Sequence, residues 1–515
     1  MKWWEISGVA MVLWMGNPAM ALETEAMRVA EIKVVQPVVP VVIRNEINPV
    51  IGFCIRTEGS TETKSLESVG LMLKGSGIES AEILTGIAEP PEKFGKRLGE
   101  RMPITGGEMT VSGKLPLVPG ENWFWLSVRL SPAADSDGVI DAAVCRLKVS
   151  GEEIGVPDGD PAGTQRIGTA VRLPGDDGVK AYRIPGLVRT TKGTLVGVYD
   201  IRHNNAADLP ADIDVGVSRS TDGGRKWDPM RIAIDMGNDP KFAYDGVGDP
   251  CVFVDRVNGR IWIAALWSHG KRSWRGSEPG MTPEETGQLV LAYSDDDGKS
   301  WSKPRNITNE VKNPAWRLLL AGPGTGITRR DGTLVFPAQF RAADGTPFST
   351  MIWSKDRGES WHIGTGVKTN TTEAQLVELT DGSIMINCRD DCGGSRTVAV
   401  TNDLGETWQP HSSDRKALPE PVCMASLLRV PAENGTARLF FSNPASTRAR
   451  DTMTLKMSED DGVTWPEKFH TLYDVRGGFG YSCLAPVDDG HLGILYEGSG
   501  GLYFLRIAIP ESGAN

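Results

Sequence analysis

The octapeptide STDGGRKW at residues 220–227 decides the fold class, because four further copies of its pattern follow it along the chain. Each copy has Ser or Thr first, Asp third, Gly fifth and Trp eighth, and the later copies begin at residues 294, 354, 401 and 458. Aspartate accepts backbone N–H bonds, glycine permits positive φ, and tryptophan packs under a turn. Each copy therefore predicts a turn between two strands.

The spacing of the copies indicates a β-propeller. Their starts lie about 74, 60, 47 and 57 residues apart, which is the scale of a four-stranded blade. Residues 171–509 have room for about six such blades. A last strand at 501–509 is placed to pair with the first and close the ring. The run of aspartates at 295–297 lacks the downstream glutamate of a calcium loop, so we interpret it as a turn.

Length and charge set the rest of the architecture. The chain has 515 residues, which predicts two domains, and a net charge of -11, which argues against nucleic acid or an anionic membrane as the main partner. Short β-branched runs between Gly, Pro and Asp clusters predict a β-sandwich at 22–155, and 156–168 is predicted to be a linker. The expected fold is all-β: this sandwich, separable from a six-bladed propeller at 169–515.

The N-terminus has the pattern of a signal peptide at 1–21. Lys2 precedes an apolar stretch at 3–15 and an Ala-x-Ala site that ends at Ala21. The stretch is too short to span a membrane, so we expect export to the periplasm or the medium, with no transmembrane segment after cleavage. Cys388 and Cys392 have no second ligand pair nearby, so neither a metal nor another cofactor is expected. The oligomeric state is not predicted.

The five repeats resemble the Asp-boxes of the sialidases, which are six-bladed propellers, and the resemblance covers residues 171–509. Asp-boxes also occur in propellers without activity, so function has to be argued from other residues. Sialic acid carries a carboxylate on its anomeric carbon. A cationic clamp suits that group, whereas a carboxylate nucleophile would be repelled by it; sialidases use a tyrosine instead.

The clamp residues lie in segments that resemble those of the family. YRIP at 182–185 gives Arg183, and the segment 373–389 links an activating Glu373 to Arg389. Arg450, before residues 453–455, is the third arginine, and its neighbour Arg448 is the alternative. Three guanidinium groups provide charge-assisted bonds to one carboxylate that lysine does not reproduce.

The family resemblance also assigns an acid. DIRHNNAADLP at 200–210 resembles the loop that carries a substrate-binding arginine and the catalytic aspartate, here Arg202 and Asp208. Asp212 and Asp214 are competitors, but they alternate like the start of a strand. His203 is a weaker alternative acid.

GYSCLA at 480–485 also resembles a family motif, and the resemblance implies Tyr481 as the nucleophile, with Glu373 as its base. A phenol with a pKa near 10 needs such a base at neutral pH. Glu497, in LYE at 495–497, matches the residue that orients Arg183. Asp249, in GDP at 248–250, matches a residue that binds a substrate hydroxyl, and a solvated turn is the alternative.

The resemblance implies a retaining exo-sialidase that acts on the terminal α-linked sialic acids of glycoproteins, glycolipids or oligosaccharides. A trans-sialidase, intramolecular or intermolecular, would use the same residues. A non-catalytic glycan-binding propeller and a purely structural propeller are alternatives of another class. Neither needs Asp208, Glu373 and Tyr481 together.

Overall fold

The computed structural model describes residues 25–90, 93–104, 107–431 and 437–510. The predicted signal peptide lies outside these residues. Nearly all regular structure is strand, which confirms the all-β prediction. Across the described ranges, no helix is both long and apolar enough to cross a membrane.

The elements have the following bounds. Before residue 160 the strands are β1 (Arg28–Val35), β2 (Val41–Ile43), β3 (Asn48–Glu58), β4 (Ser65–Lys74), β5 (Ile78–Gly86), β6 (Arg97–Pro103), β7 (Glu108–Pro116), β8 (Gly120–Leu130), β9 (Val139–Val149) and β10 (Glu152–Gly155). After it they are β11 (Gln165–Arg172), β12 (Ala181–Arg189), β13 (Leu195–Arg202), β14 (Ile213–Ser220), β15 (Arg231–Ile234), β16 (Val247–Val254), β17 (Ile261–Trp267), β18 (Gln288–Ser294), β19 (Arg305–Asn306), β20 (Leu318–Ala321), β21 (Gly324–Thr325), β22 (Ile327–Thr328), β23 (Leu334–Arg341), β24 (Pro347–Ser354), β25 (His362–Ile363), β26 (Thr371–Glu378), β27 (Ile384–Asp390), β28 (Gly394–Ser395), β29 (Thr397–Thr401), β30 (Gln409–Pro410), β31 (Pro419–Glu420), β32 (Ser426–Pro431), β33 (Ala437–Pro444), β34 (Met453–Ser458), β35 (Thr471–Asp474), β36 (Ser482–Pro486), β37 (His491–Gly498) and β38 (Gly501–Ala508). The helical segments are α1 (Thr308–Val311) and 3₁₀ turns at Asp176–Gly178, Pro240–Asp245 and Glu467–Phe469.

The N-terminal part consists of two antiparallel sheets. One has the order β1-β3-β8-β5-β6, and the other contains β9, β4 and β7 with β10 on β9. Their inner faces supply one apolar core, in which Phe53, Leu71, Leu126 and Val144 are fully buried or nearly so. Alternation along each strand places these side chains on one face, as a sandwich requires.

The rest of the chain forms consecutive sheets that each have four main strands. They are β12–β15, β16–β19, β20 with β23–β25, β26-β27-β29-β30, β32–β35, and β36–β38 with β11. β12 packs against β16 and β36, β32 packs against β26 and β36, and β21 lies between β16 and β26. Strands such as β13 are buried along their whole length because neighbouring sheets cover both faces. This ring of contacts supports the propeller predicted from the repeats, and the count of six blades stays a prediction.

The five repeats occupy equivalent turns, each between the third and fourth strands of a sheet. In the first, the Ser220 hydroxyl donates to Asp222 and accepts from the Gly224 N–H, both at 2.8 Å. The Lys226 N–H donates to Asp222 at 2.9 Å. Gly224 has φ +89°, and a Cβ there would overlap the Phe504 ring. The tryptophans pack below these turns; Trp361 and Trp465 are buried and the other three are half-buried.

Strand β11 belongs to both parts of the molecule. It pairs with β38 on one edge and with β2 and β9 on the other. It begins at Gln165, inside the predicted linker 156–168, so the end of that segment is strand. Val42 of β2 is buried in the core between the last blades. The sandwich and the propeller therefore share a continuous sheet, whereas the sequence predicts a separable module.

Candidate active site

A cavity of about 410 Å³ opens among the inner strands of the propeller. All the predicted site residues line it except Arg202 and Glu497. The full lining is Arg183, Ile184, Asp208, Leu209, Asp249, Leu266, Trp274, Leu320, Gln339, Thr372, Glu373, Arg389, Asp391, Arg450, Phe479 and Tyr481. Strands β12, β16, β26 and β27 and the residues just before β36 bring these groups together from distant parts of the chain.

Tyr481, Glu373 and Arg389 form one hydrogen-bonded group. The Tyr481 hydroxyl donates a short hydrogen bond to Glu373 Oε1. Arg389 Nη1 donates to Glu373 Oε2 at 2.8 Å and to the Tyr481 oxygen at 3.2 Å. Burial raises the pKa of Tyr481 well above its usual value, and the Glu373 charge adds to this, while Arg389 opposes it. Glu373 is thus placed to accept the phenolic proton, and Arg389 to stabilise a phenolate.

Glu497 joins the first arginine to the tyrosine. Its Oε1 accepts from Arg183 Nε at 3.0 Å and from the Ile184 N–H at 2.9 Å, and its Oε2 accepts from the Tyr481 N–H at 3.1 Å. Ile184 has φ +57°, which is costly for a β-branched residue. The bonds from buried Glu497 hold this conformation, and they fix β12 next to the start of β36.

Arg183, Arg389 and Arg450 surround the Tyr481 ring. The Arg183 guanidinium lies 5.5 Å from the Tyr481 ring centroid and 3.8 Å from that of Phe479. Arg450 lies 5.8 Å from the Tyr481 centroid and donates to the carbonyls of Phe479 and Val422 at 3.0 and 2.8 Å. The alternative arginine, Arg448, is exposed and does not line the cavity.

Asp208 stands at the mouth of the cavity, with its side chain 78% exposed. Its Oδ1 accepts from Arg183 Nη1 at 3.2 Å and from Arg202 Nη1 at 2.7 Å. Arg202 itself is buried, and its Nε and Nη2 donate to Asp200 at 3.1 and 2.8 Å. Arg202 does not line the cavity in this structure; its guanidinium contacts Asp200 and Asp208, and its predicted contact with substrate stays a prediction.

The other acidic candidates in this loop point elsewhere. His203 Nε2 is hydrogen-bonded to Asp214 Oδ2 at 2.8 Å, and Asp212 accepts from Asn204. Burial raises the pKa of Asp214 to about 6, although His203 lowers it. None of these residues lines the cavity.

Asp249 lines the cavity beside a residue that the sequence analysis missed, Asp200. The Asp249 N–H donates to Asp200 Oδ1 at 2.9 Å. Burial raises the pKa of Asp249 to about 8, and the charges of Asp200 and Glu373 add to this rise. Asp200 lies two positions before Arg202 on β13, so both side chains share one face of the strand. That spacing was the available signal for Asp200.

The largely apolar part of the cavity lining was also missed. Leu209, Leu266, Leu320 and Trp274 line it together with buried Gln339 and Thr372. The Thr372 hydroxyl has no hydrogen-bond partner within the described part of the chain. These residues come from several blades, and no local motif marks them. Over the same ranges, no group of three or more His, Cys, Asp or Glu side chains is arranged to hold a metal ion.

Comparisons with known proteins show which proteins this chain resembles. Residues 206–494 match the family model for a BNR repeat-like domain, and residues 29–153 match the N-terminal domain of BNR-repeat neuraminidase. The chain is 46% identical to a sialidase of Bacteroides fragilis over 76% of this chain and 74% of that protein. It is 34% identical to a sialidase of Micromonospora viridifaciens over 75% of this chain and 60% of the relative. The solved Hadza microbial sialidase Hz136 has 40% identity and a TM-score of 0.85, covering 92% of this chain and 99% of that one.

Proposed function

This chain belongs to the BNR-repeat sialidase family and is an exo-α-sialidase, and we propose that its reaction proceeds through a covalent intermediate on Tyr481. The observation that carries the proposal is the hydrogen bond from the Tyr481 hydroxyl to Glu373 Oε1, with Arg389 donating to Glu373 Oε2 and to the Tyr481 oxygen. A buried phenol held against a carboxylate has a base ready to accept its proton.

Substrate binding begins at the three arginines. The carboxylate of sialic acid is the natural partner of Arg183, Arg389 and Arg450, because each guanidinium offers several N–H donors. In the free protein Asp208 occupies one donor of Arg183 at 3.2 Å. An arriving carboxylate competes for that donor, which frees Asp208 to face the leaving oxygen.

In the first chemical step the phenolic oxygen of Tyr481 attacks the anomeric carbon while Glu373 takes the phenolic proton. The bond to the leaving oxygen breaks, and Asp208 gives that oxygen a proton. In the second step Asp208 takes a proton from water, and the water oxygen attacks the same carbon. The bond to Tyr481 breaks, and Glu373 returns the proton to the phenolate. Two inversions give retention of configuration.

Substrate range, export and domain limits are part of the proposal. We assign terminal sialic acids on glycoproteins, glycolipids and oligosaccharides as substrates, because the relatives are sialidases and three arginines line the cavity. The signal-peptide pattern at 1–21 supports export. The family matches at 29–153 and 206–494 support the sandwich at 22–155 and the propeller at 169–515. Strand β11, which begins at Gln165 within the predicted linker, joins the two.

Trapping tests the nucleophile. A 2,3-difluorosialic acid with a good leaving group should label the protein on the peptide that contains Tyr481, and Tyr481→Phe should abolish the label. A label on another residue would contradict the proposal. In parallel, the product from a sialylated oligosaccharide is identified. Free sialic acid supports hydrolysis, whereas an internal anhydro sugar or a new sialoside would indicate transfer.

A further inference from the structure

A buried ion pair lies behind the arginine clamp without lining the cavity. Arg396 Nη1 is 2.7 Å from Glu420 Oε2, and the two side chains are 1% and 0% exposed. Removing two charges from water is costly, and an apolar pair of similar size is often as stable. Stability alone therefore does not account for this pair.

The pair holds the strand that carries Arg389. Glu420 Oε1 accepts from the N–H of Asp390, the residue directly after Arg389, at 2.6 Å. Arg396 Nε donates to Asn387 Oδ1 at 2.7 Å, and its Nη2 donates to the Asn387 carbonyl at 3.1 Å. The backbone on both sides of Arg389 is thus fixed by the same two side chains.

The pair also holds the segment that carries the contact to Arg450. Arg396 Nη1 donates to the Cys423 carbonyl at 2.6 Å, and Glu420 Oε2 accepts from the Cys423 N–H at 3.4 Å. The preceding residue, Val422, accepts from Arg450 Nη2 at 2.8 Å. Val422 has φ +55°, an unfavourable conformation for a β-branched residue that persists only where its surroundings impose it.

We propose that Arg396 and Glu420 are positioning residues that set the spacing between Arg389 and Arg450. Through that spacing they tune the affinity of the site for the carboxylate of its ligand. The inference rests on the proposed function, since it needs these arginines to bind that carboxylate. The pair does not line the cavity, so it acts through the two segments that it holds, one carrying Arg389 and the other contacting Arg450.

The test compares Glu420→Gln and Arg396→Lys with a matched control, Glu82→Gln. Glu82 is also a buried glutamate, 2% exposed, paired with Arg97 and Arg101, but it lies in the sandwich and its partners do not line the cavity. For each variant we would measure kcat, KM, and inhibition by 2,3-didehydro sialic acid and by its methyl ester. The ester lacks the negative charge that the clamp recognises.

For Glu420→Gln we expect KM and the inhibition constant of the acid to rise about tenfold, the cost of weakening one charge-assisted contact. The inhibition constant of the ester should change less than about threefold, since the ester lacks the charge that the clamp recognises. We expect kcat to fall as well, because a displaced Arg389 weakens its contact with the Tyr481 oxygen. Arg396→Lys keeps the charge but loses the planar guanidinium, so it should also weaken inhibition by the acid much more than inhibition by the ester. This variant tests the proposal if Glu420→Gln does not fold.

Three results would overturn the proposal. They are equal changes in the inhibition constants of the acid and the ester, no change in the inhibition constant of the acid, or the same change in Glu82→Gln. Failure of the wild-type protein to release sialic acid would instead refute the proposed function.

Discussion

The variant Glu373→Gln tests whether Glu373 is the base that accepts the Tyr481 proton. The substitution keeps the size of the side chain but cannot accept the Tyr481 proton. The tyrosine hydroxyl would retain a neutral partner, and Arg389 would lose the carboxylate that it meets at 2.8 Å. We expect kcat to fall because the phenol then has to ionise without a base.

The size of the loss follows from the ionisation of the phenol. At pH 7 a tyrosine with a pKa of about 10 is a phenolate in about one molecule in 10³. Burial, the main influence on Tyr481, raises its pKa further. The variant should therefore lose at least about 10³-fold in kcat, or about 4 kcal/mol of transition-state stabilisation.

The assay is release of a fluorescent phenol from its α-sialoside, because an activated leaving group needs little protonation by Asp208. The variant should regain activity by about tenfold per pH unit between pH 7 and 9, as more of the phenol ionises. Tyr481→Phe should show no such recovery. The double variant should be no worse than Tyr481→Phe alone, since the two groups act as a unit.

Two results would refute this reasoning. One is a kcat for Glu373→Gln within about tenfold of wild type at pH 7, against the loss expected from the ionisation argument. The other is a large loss that does not recover with pH, which would assign Glu373 to orienting Arg389 rather than to accepting a proton. Thermal unfolding of each variant checks that the fold is intact.

Three further predictions concern other parts of the molecule. Asp208→Ala should lower kcat/KM by about 10²-fold or more on natural glycosides but by less than about tenfold on activated aryl sialosides, and equal losses on both would remove its role as acid. The raised pKa of Asp249, about 8, means that the folded protein keeps a proton that the unfolded chain releases above about pH 4. Stability from this group is therefore greatest below pH 4 and is lost as pH rises to 8. The melting temperature of Asp249→Asn relative to wild type should rise between pH 5 and 8.5, and a constant difference would contradict the assignment. A protein truncated to begin at Gly163 loses the β2 and β9 partners of β11, so its melting temperature should fall by at least about 5 °C, and an unchanged value would restore the separable sandwich.

The sequence predicts best what short segments encode. The turn at residues 220–227 and its later copies contain their own hydrogen-bond partners, so the propeller region could be read from them. Tyr481, Glu373 and Arg389, which line one cavity, could be predicted as site residues because each lies in a segment that resembles a family motif. Their geometry follows from strand order, which the repeat spacing already indicates.

What the sequence could not predict depends on contacts between distant residues. The sequence did not reveal how the Arg202 guanidinium divides between Asp200 and Asp208, because Asp208 lies in the loop beyond β13. The contact of Arg396 with Cys423 joins residues from different strands, and no periodicity marks it. The segment 156–168 looks like a linker because its composition is that of a loop up to residue 163. Strand β11 nevertheless begins at Gln165, and its partners at Val42 and Leu505 are distant in the sequence.

The pairing of β38 with β11 sets an order of events during synthesis. It joins residue 168 to residue 505, so one edge of β11 waits until almost all the described chain has been made. An unpaired edge strand is a site for association with other chains. The sandwich is made earlier, and its β2 and β9 can cover the opposite edge of β11 while the blades are still being translated. The N-terminal domain thus covers one edge of β11 by contacts that do not depend on the last strand of the ring.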